Sequence, residues 1–284
     1  MPYVIHVNSK LKMKYYKYVA PAGLDILINN RIKVCDFSLT NDPFEVLPRI
    51  DYPIDKAFWN QEFENSVEND PVFNPAKRAK QFNPIEYERQ RTEWVNGSIS
   101  HREEGIREIP HELRSRFTKV VGFVCLTTKP DDIVMWGHYA DCHKGIVVEF
   151  DGDNVLFANY PDSNGNNMGL LTVDYTDTRP VLRFGDPFRT ELLACKSKVW
   201  TYENEVRLLL NRDACKEDGG HMFYYLPPAC ITGVILGTKA SEPLRAQTHF
   251  LNNTKWKGSL KISYSVEHPE EYRMVIQEQS HGEV

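Results

Sequence analysis

The sequence predicts an α+β fold in which strands flank a long helical insertion, and three observations carry that expectation. Residues 15 to 45 read as strand, helix and strand. From about residue 50 to 119 strand alternation disappears, charged residues dominate, and Pro71, Pro75, Pro84 and Pro110 punctuate the chain. From residue 120 onward short apolar runs return between turn residues. With 284 residues, 41% hydrophobic and 12% aromatic, a single catalytic-type domain over 1-284 has the material for a sizeable core.

The first unit opens on the aromatic strand Tyr15-Tyr16-Lys17-Tyr18-Val19. Apolar Leu24, Ile26, Leu27 and Ile28 then predict a helix, and Ile32-Lys33-Val34-Cys35 returns as a strand. Asn41-Asp42-Pro43-Phe44 reads as a turn, because Asn and Asp side chains bond to their own backbone. Within 50-119, the mainly helical insertion, the better helix candidates are Glu86 to Trp94 and His111 to Phe117. Its lysines and arginines, from Lys77 to Lys119, alternate with glutamates, the pattern of a wet helix face, with substrate contact as the second reading.

The second half begins with a buried strand, Val120 to Thr127. A short helix spans Asp131 to Asp141, capped by Asp131 or Asp132, and Gly145 to Phe150 forms the next strand. Further strands are expected at Leu170 to Tyr175, Val206 to Leu210 and Ile231 to Leu236, with Asp162 to Asn167 a polar loop.

Composition narrows the environment more than the partner. A net charge of -5 argues against a surface built wholly for nucleic acid, yet leaves room for a local basic groove. Six scattered cysteines without a close CxxC pair, and a start lacking a secretory pattern, point to a reduced cytoplasmic protein. No apolar run has the length to span a bilayer.

The chemistry concentrates in two segments. Lys196-Ser197-Lys198-Val199-Trp200-Thr201-Tyr202-Glu203-Asn204-Glu205-Val206-Arg207 puts two carboxylates two residues apart at the entrance to an apolar run. On one extended segment Glu203 and Glu205 would point the same way, as a site or as an ordinary solvated strand edge. Met135-Trp136-Gly137-His138-Tyr139-Ala140-Asp141-Cys142-His143-Lys144-Gly145 is the other. Trp136 and Tyr139 share a helix face, for core packing or ligand stacking, and His138 supplies a proton donor or acceptor near neutral pH. His138 and Cys142 sit one helical turn apart, but no second pair of zinc-like spacing completes a metal site, so none is expected. Cys125 lies in an apolar strand, where a thiol packs as a small hydrophobe. The GxSxG, GxxxxGK and GxGxxG signatures are missing, so any nucleotide needs another architecture.

Taken in order, Tyr16-Lys17-Tyr18, Asn41-Asp42-Pro43-Phe44-Glu45, Met135 to Ala140 with His143-Lys144-Gly145, Lys198 to Arg207, and Ile235-Leu236-Gly237 resemble a bacterial family, domain of unknown function 2971, over residues 15 to 240. A more distant resemblance is to the ADP-ribosyltransferase fold. It implies two small antiparallel β-sheets forming a split sandwich that binds NAD, with a basic residue on an early strand, a hydroxyl residue before a helix and a Glu opening a later strand. In this chain those positions are taken by Lys17 or Tyr18, by Thr127 or Thr128, and by Glu203-Asn204-Glu205. Glu205 would stabilise the cation that develops as the nicotinamide-ribose bond breaks, and Glu203 would assist or deprotonate the acceptor. Trp200, Tyr202 or Trp136 would stack on nicotinamide, with His138 and Tyr139 as substrate contacts and Lys17 at the diphosphate.

The leading expectation is therefore an NAD-consuming transferase or glycohydrolase, a toxin or phage-defence effector by analogy, with an unknown protein, nucleic-acid, small-molecule or water acceptor and room for an antitoxin or inhibitory partner. The second reading is a metal-independent nuclease using His138, Tyr139 and Lys144, with the basic insertion gripping phosphate. The third is a non-catalytic binding module whose Glu pair bridges to Arg207 and Lys198.

Overall fold

The computed structural model describes residues 13–38, 40–158, 160–161, 167–186 and 189–278. Strand β1 (Lys14–Val19) leads through a 3-10 turn to helix α1 (Asp25–Asn29), then to β2 (Arg31–Lys33) and β3 (Arg49–Asp51). Helices α2 (Lys56–Asn69), α3 (Asn74–Phe82), α4 (Pro84–Ser100) and α5 (Arg102–Val120) follow. Next come β4 (Val121–Thr127), α6 (Ile133–Tyr139), β5 (Ile146–Asp151), β6 (Tyr160–Pro161), β7 (Asn167–Thr172), β8 (Asp174–Thr176) and β9 (Val181–Arg183). The chain then forms β10 (Cys195–Ser197), β11 (Glu205–Asn211), β12 (Lys216–Asp218), β13 (His221–Tyr225), β14 (Ile231–Leu236), α7 (Glu242–Thr254), β15 (Lys261–Glu267) and β16 (Met274–Glu278).

The fold is α+β, with several sheets and no closed barrel. Its centre is a nine-stranded sheet in the order β16-β15-β14-β5-β1-β4-β11-β7-β6, antiparallel except between β14 and β15. Where two small sheets were expected, the core strands thus join into one, but the join is narrow. A single registered pair, Tyr16 with Thr127, links β1 to β4, against six pairs between β1 and β5 and seven between β4 and β11. Below that pair β1 leaves the edge of β4, and the exposed backbone finds other partners. Cys35 and Phe123 exchange backbone hydrogen bonds of 2.7 and 3.3 Å, and Lys17 Nζ donates to the Cys125 carbonyl at 2.9 Å. This seam is where the cavity described below opens.

Both faces of the sheet are covered, which is why β4, β5 and β11 read as nearly continuous apolar runs. On one face Leu126, Val148, Phe150, Leu208 and Val234 pack with Leu24 and Leu27, and with Leu244 of α7. On the other, Tyr18, Val147 and Ile235 meet Met135 and Trp136 of α6, while Phe123 and Leu209 meet Phe37, Val46 and Leu193. Gly145 is needed where α6 returns to β5, since a Cβ there would lie 2.0 Å from the Val19 carbonyl oxygen. Between α6 and Gly145 the backbone passes through three successive left-handed residues, Asp141, Cys142 and His143.

The stretch expected as a helical insertion holds α2 to α5. The candidates 86 to 94 and 111 to 117 lie inside α4 and α5, which run further because Pro84 sits at the permissive first turn of α4 and Pro110 is accommodated within α5. Helix α2 was not singled out within that stretch, its apolar residues being diluted by polar ones. Trp59, Phe63 and Val67 nonetheless recur every fourth residue and are buried together, against Val95 and Tyr87 of α4 among others. Asp55 and Asn83 cap α2 and α4 by accepting from Ala57 and Glu86 backbone amides. Basic side chains of the insertion pair on its surface, Lys80 with Glu64 and Glu68, Arg89 with Glu86 and Glu93, Arg91 with Glu88.

The strand expected from Leu170 to Tyr175 is broken at buried Val173: β7 stays in the main sheet and β8 turns away to pair in parallel with β10. The polar loop expected at 162 to 167 falls almost wholly outside the described residues. Among the described residues, no helix is long and apolar enough to cross a membrane.

Candidate active site at the sheet seam

Glu203 and Glu205 do come together, though not as neighbours along a strand. Lys198–Glu203 is a 3-10 turn, and Asn204 takes a left-handed conformation at φ 42° before β11 begins at Glu205. The reversal aims both carboxylates at one point, the ammonium of Lys196, 2.5 Å from Glu203 Oε2 and 3.2 Å from Glu205 Oε2. Both glutamates are 3% exposed, so the solvated-edge reading fails, because β11 is an interior strand covered on both faces.

The cluster extends deeper into the fold. Arg207, fully buried on the same face of β11, donates from Nε to Glu205 Oε1 at 2.9 Å and from Nη2 to Glu45 Oε1. At its other end Tyr139 donates its hydroxyl to Glu203 Oε1 and accepts from Asn41 Nδ2 at 2.7 Å. Three carboxylates, Glu45, Glu203 and Glu205, thus face two cations, Lys196 and Arg207. Burial pushes the Glu205 carboxyl up, and Glu203 adds to this against the pull of Lys196. For Lys196 burial acts downward, but attraction by Glu205 and Glu203 prevails and its ammonium titrates above the usual lysine range. Burial, reinforced by Glu203, pushes the Tyr139 hydroxyl well above its ordinary value.

These residues form one wall of a cavity of about 270 Å³ at the seam. Tyr16, Lys17 and Tyr18 of β1, Cys125 and Thr127 of β4, Met135 and Tyr139 of α6, and Asn41 and Glu45 of the turn between β2 and β3 also line it. Register explains the assembly: Tyr16, Thr127 and Glu205 lie side by side on three adjacent strands. The Asn-Asp turn forms as expected and also reaches the site. Asp42 Oδ1 accepts from the Phe44 amide to hold the turn, and Asn41 reaches the site through Tyr139.

Of the expected site residues, Glu203, Glu205, Lys17, Tyr18, Thr127 and Tyr139 line this cavity. Trp136 does not: it is fully buried, donates its indole N–H to the Pro130 carbonyl and packs edge-on against Tyr18, so no face is free to stack on a ligand. His138 is exposed and does not line the cavity, its Nδ1 3.2 Å from the Tyr202 hydroxyl. Tyr202 and Trp200 do not line the cavity either; their rings pack against each other, Trp200 with its ring centre 5.0 Å from Lys196 Nζ. Cys142 shares no helix face with His138, because α6 ends at Tyr139. Among the described residues no three His, Cys, Asp or Glu side chains are placed to share a metal ion.

The lysine of the carboxylate pair is Lys196, not Lys198, which pairs with Asp177 at the surface. Sequence reasoning also missed Glu45, Asn41, Tyr16 and Cys35 as site residues. The first two stood in the Asn41-to-Glu45 segment, but nothing local marks a contact with residues 139 and 207.

No curated protein and no solved structure matches the chain. The resemblance read from scattered segments is supported over one part of it. Residues 135–208, which contribute Met135 and Tyr139 of α6, Lys196, Glu203 and Glu205 to the site, match the model of a family described as a protein of unknown function (DUF2971).

Proposed function

We propose that the seam cavity is the active site of an ADP-ribosyltransferase-like enzyme that cleaves the bond between nicotinamide and ribose in NAD and passes ADP-ribose to water or to a protein or nucleic-acid acceptor. One observation carries the reading: two buried carboxylates from either side of a left-handed turn converge on a cavity that opens where β1 and β4 part. The narrow join at that point is what a split sandwich with a bridging pair would give.

The lining fits such a substrate in kind. Tyr16, Tyr18, Tyr139 and Met135 offer flat and polarisable surface to an aromatic ring, and carboxylates suit ribose hydroxyls and developing positive charge. The volume takes the nicotinamide-ribose end, leaving the remainder outside. Lys17 lines the cavity, donates one of its three N–H groups to the Cys125 carbonyl and would meet the diphosphate as a point charge.

In NAD the glycosidic bond breaks with its electron pair going to nicotinamide, which leaves as the neutral amide. Glu205, locked between Lys196 and Arg207, presents negative charge to the ribose without reorganising during the reaction. Glu203 takes the proton of the attacking acceptor, with Tyr139 and Lys196 fixing its two oxygens. Lys196 lies between the two glutamates and offsets the repulsion of their carboxylates.

The nuclease reading has less support. His138 and Lys144 lie outside the cavity, Lys144 3.8 Å from Asp141, and only Tyr139 of that trio faces it. The deciding experiment is release of nicotinamide from NAD by the full chain. Release that disappears in Glu205→Gln while the fold persists supports the proposal; undiminished release in that variant overturns it.

A further inference from the structure

We infer that Asn41 is a positioning residue of the seam site, its carboxamide fixing the direction in which Tyr139 presents its hydroxyl proton to Glu203. The geometry is a chain of two hydrogen bonds. Asn41 Nδ2 donates to the Tyr139 oxygen at 2.7 Å, and Tyr139 in turn donates to Glu203 Oε1. A phenol carries one proton, so it donates to one partner while it accepts from the other. An ionised carboxylate accepts and never donates, which makes Glu203 the receiving end. Asn41 must then present its N–H rather than its carbonyl, because the carbonyl oxygen would compete with Glu203 for the same proton.

The turn that carries Asn41 is tied to the carboxylate cluster at both ends. Thr40 Oγ1 and the Glu45 amide donate to the Asp42 carbonyl at 3.3 and 3.2 Å, and the Phe44 amide donates to Asp42 Oδ1 at 2.9 Å. Buried Glu45 then accepts from Arg207, the residue that also holds Glu205. One turn thus reaches Glu203 through Tyr139 and Glu205 through Arg207.

Asn41 itself is exposed where it lines the cavity. Water could take its place there, but water donates or accepts equally well and would leave the Tyr139 proton free to turn away from Glu203. Burial, then the hydrogen bond to Glu203, holds the Tyr139 hydroxyl well above its ordinary value, so the tyrosine keeps its proton and none travels along the chain. An N–H donated to the phenol oxygen also strengthens the bond that Tyr139 gives to Glu203. The positioning acts through Glu203, and so rests on the reading of that residue as the group that takes the acceptor's proton.

Stability cycles test the arrangement without reading activity. In urea unfolding at pH 7, Asn41→Ala is expected to raise the unfolding constant about fivefold in the parent, the scale of one hydrogen bond, and by less than about twofold in Tyr139→Phe or in Glu203→Gln. In Glu203→Gln the Asn41–Tyr139 contact survives, but an amide at 203 donates or accepts and no longer dictates where the tyrosine proton points. Losses that simply add in either pair make Asn41 a structural residue and overturn the inference. Steady-state release of nicotinamide from NAD is the second readout. Asn41→Asp keeps the shape and a hydrogen bond to Tyr139 but draws the proton to itself, so kcat is expected to fall roughly tenfold, further than in Asn41→Ala, with KM changed by less than about twofold. A kcat for Asn41→Asp equal to or above that of Asn41→Ala, or a loss confined to KM, overturns the inference. If the parent releases no nicotinamide, the proposed function fails and the stability cycles decide alone, as they do if Asn41→Asp does not fold.

Discussion

The ammonium of Lys196 lies 2.5 Å from Glu203 Oε2, with both side chains only 4% exposed. It also reaches Glu205, so one cation holds two carboxylates that approach from opposite sides of a left-handed turn. Removing one member of such a cluster leaves uncompensated charge where water cannot relieve it.

Lys196→Met is therefore expected to destabilise the protein by about 3–5 kcal/mol at neutral pH. Part of the loss should be regained in mild acid, because one of the facing carboxylates then takes up a proton. Urea unfolding at pH 7 and pH 5 measures both effects; a variant as stable as the parent at pH 7 would show the pair to be solvated.

The titration of Glu205 has a defined sign. Its folded pKa lies above the unfolded value of 4.5, so its contribution to stability is complete below pH 4.5 and is lost as pH rises through the folded pKa. The stability of Glu205→Gln relative to the parent should accordingly improve as pH increases from 4.5 toward neutrality. Chemical denaturation across that range checks the slope, and a difference that falls with pH would contradict the raised pKa.

For catalysis, Glu205→Gln should lower nicotinamide release by roughly 10²-fold or more, the scale on which preorganised electrostatic groups act. Tyr139→Phe should cost less, about tenfold, since Glu203 retains Lys196, and should reduce stability by about 1 kcal/mol. A steady-state assay with NAD, alongside thermal melts, separates the two.

The two tryptophans offer a contrast. Trp136→Ala should destabilise the chain by about 3–5 kcal/mol, since it removes a fully buried ring beneath β1. Trp200→Ala, at a half-buried ring outside the cavity, should cost much less in stability. Equal losses would mean that the Trp200 ring is as tightly packed as that of Trp136.

Elements whose signal is local were legible in the chain. The strand at Ile231–Leu236, the cap of α6 at Asp132 and the strand leading from Val206 to Leu210 appear where apolar runs and capping residues placed them. Helix α2 was hidden, because Trp59, Phe63 and Val67 are three apolar positions in a polar stretch whose partners on α4 lie some thirty residues away. The pairing of Glu203 with Glu205 was anticipated for the wrong reason: alternation along a strand would have aligned them, whereas a 3-10 turn and the left-handed Asn204 do so.

By itself, then, the sequence determined the α+β character, the order of the main strands and the two segments whose side chains meet at the cavity, all of which follow from short-range pattern. Only the tertiary structure decided that Lys196 rather than Lys198 meets the carboxylates, that Trp136 belongs to the core, and that β1 and β4 share only one registered pair. Such contacts depend on which strands lie side by side and where one parts from its neighbour. That is settled by packing on both faces of the sheet, which no window along the chain contains.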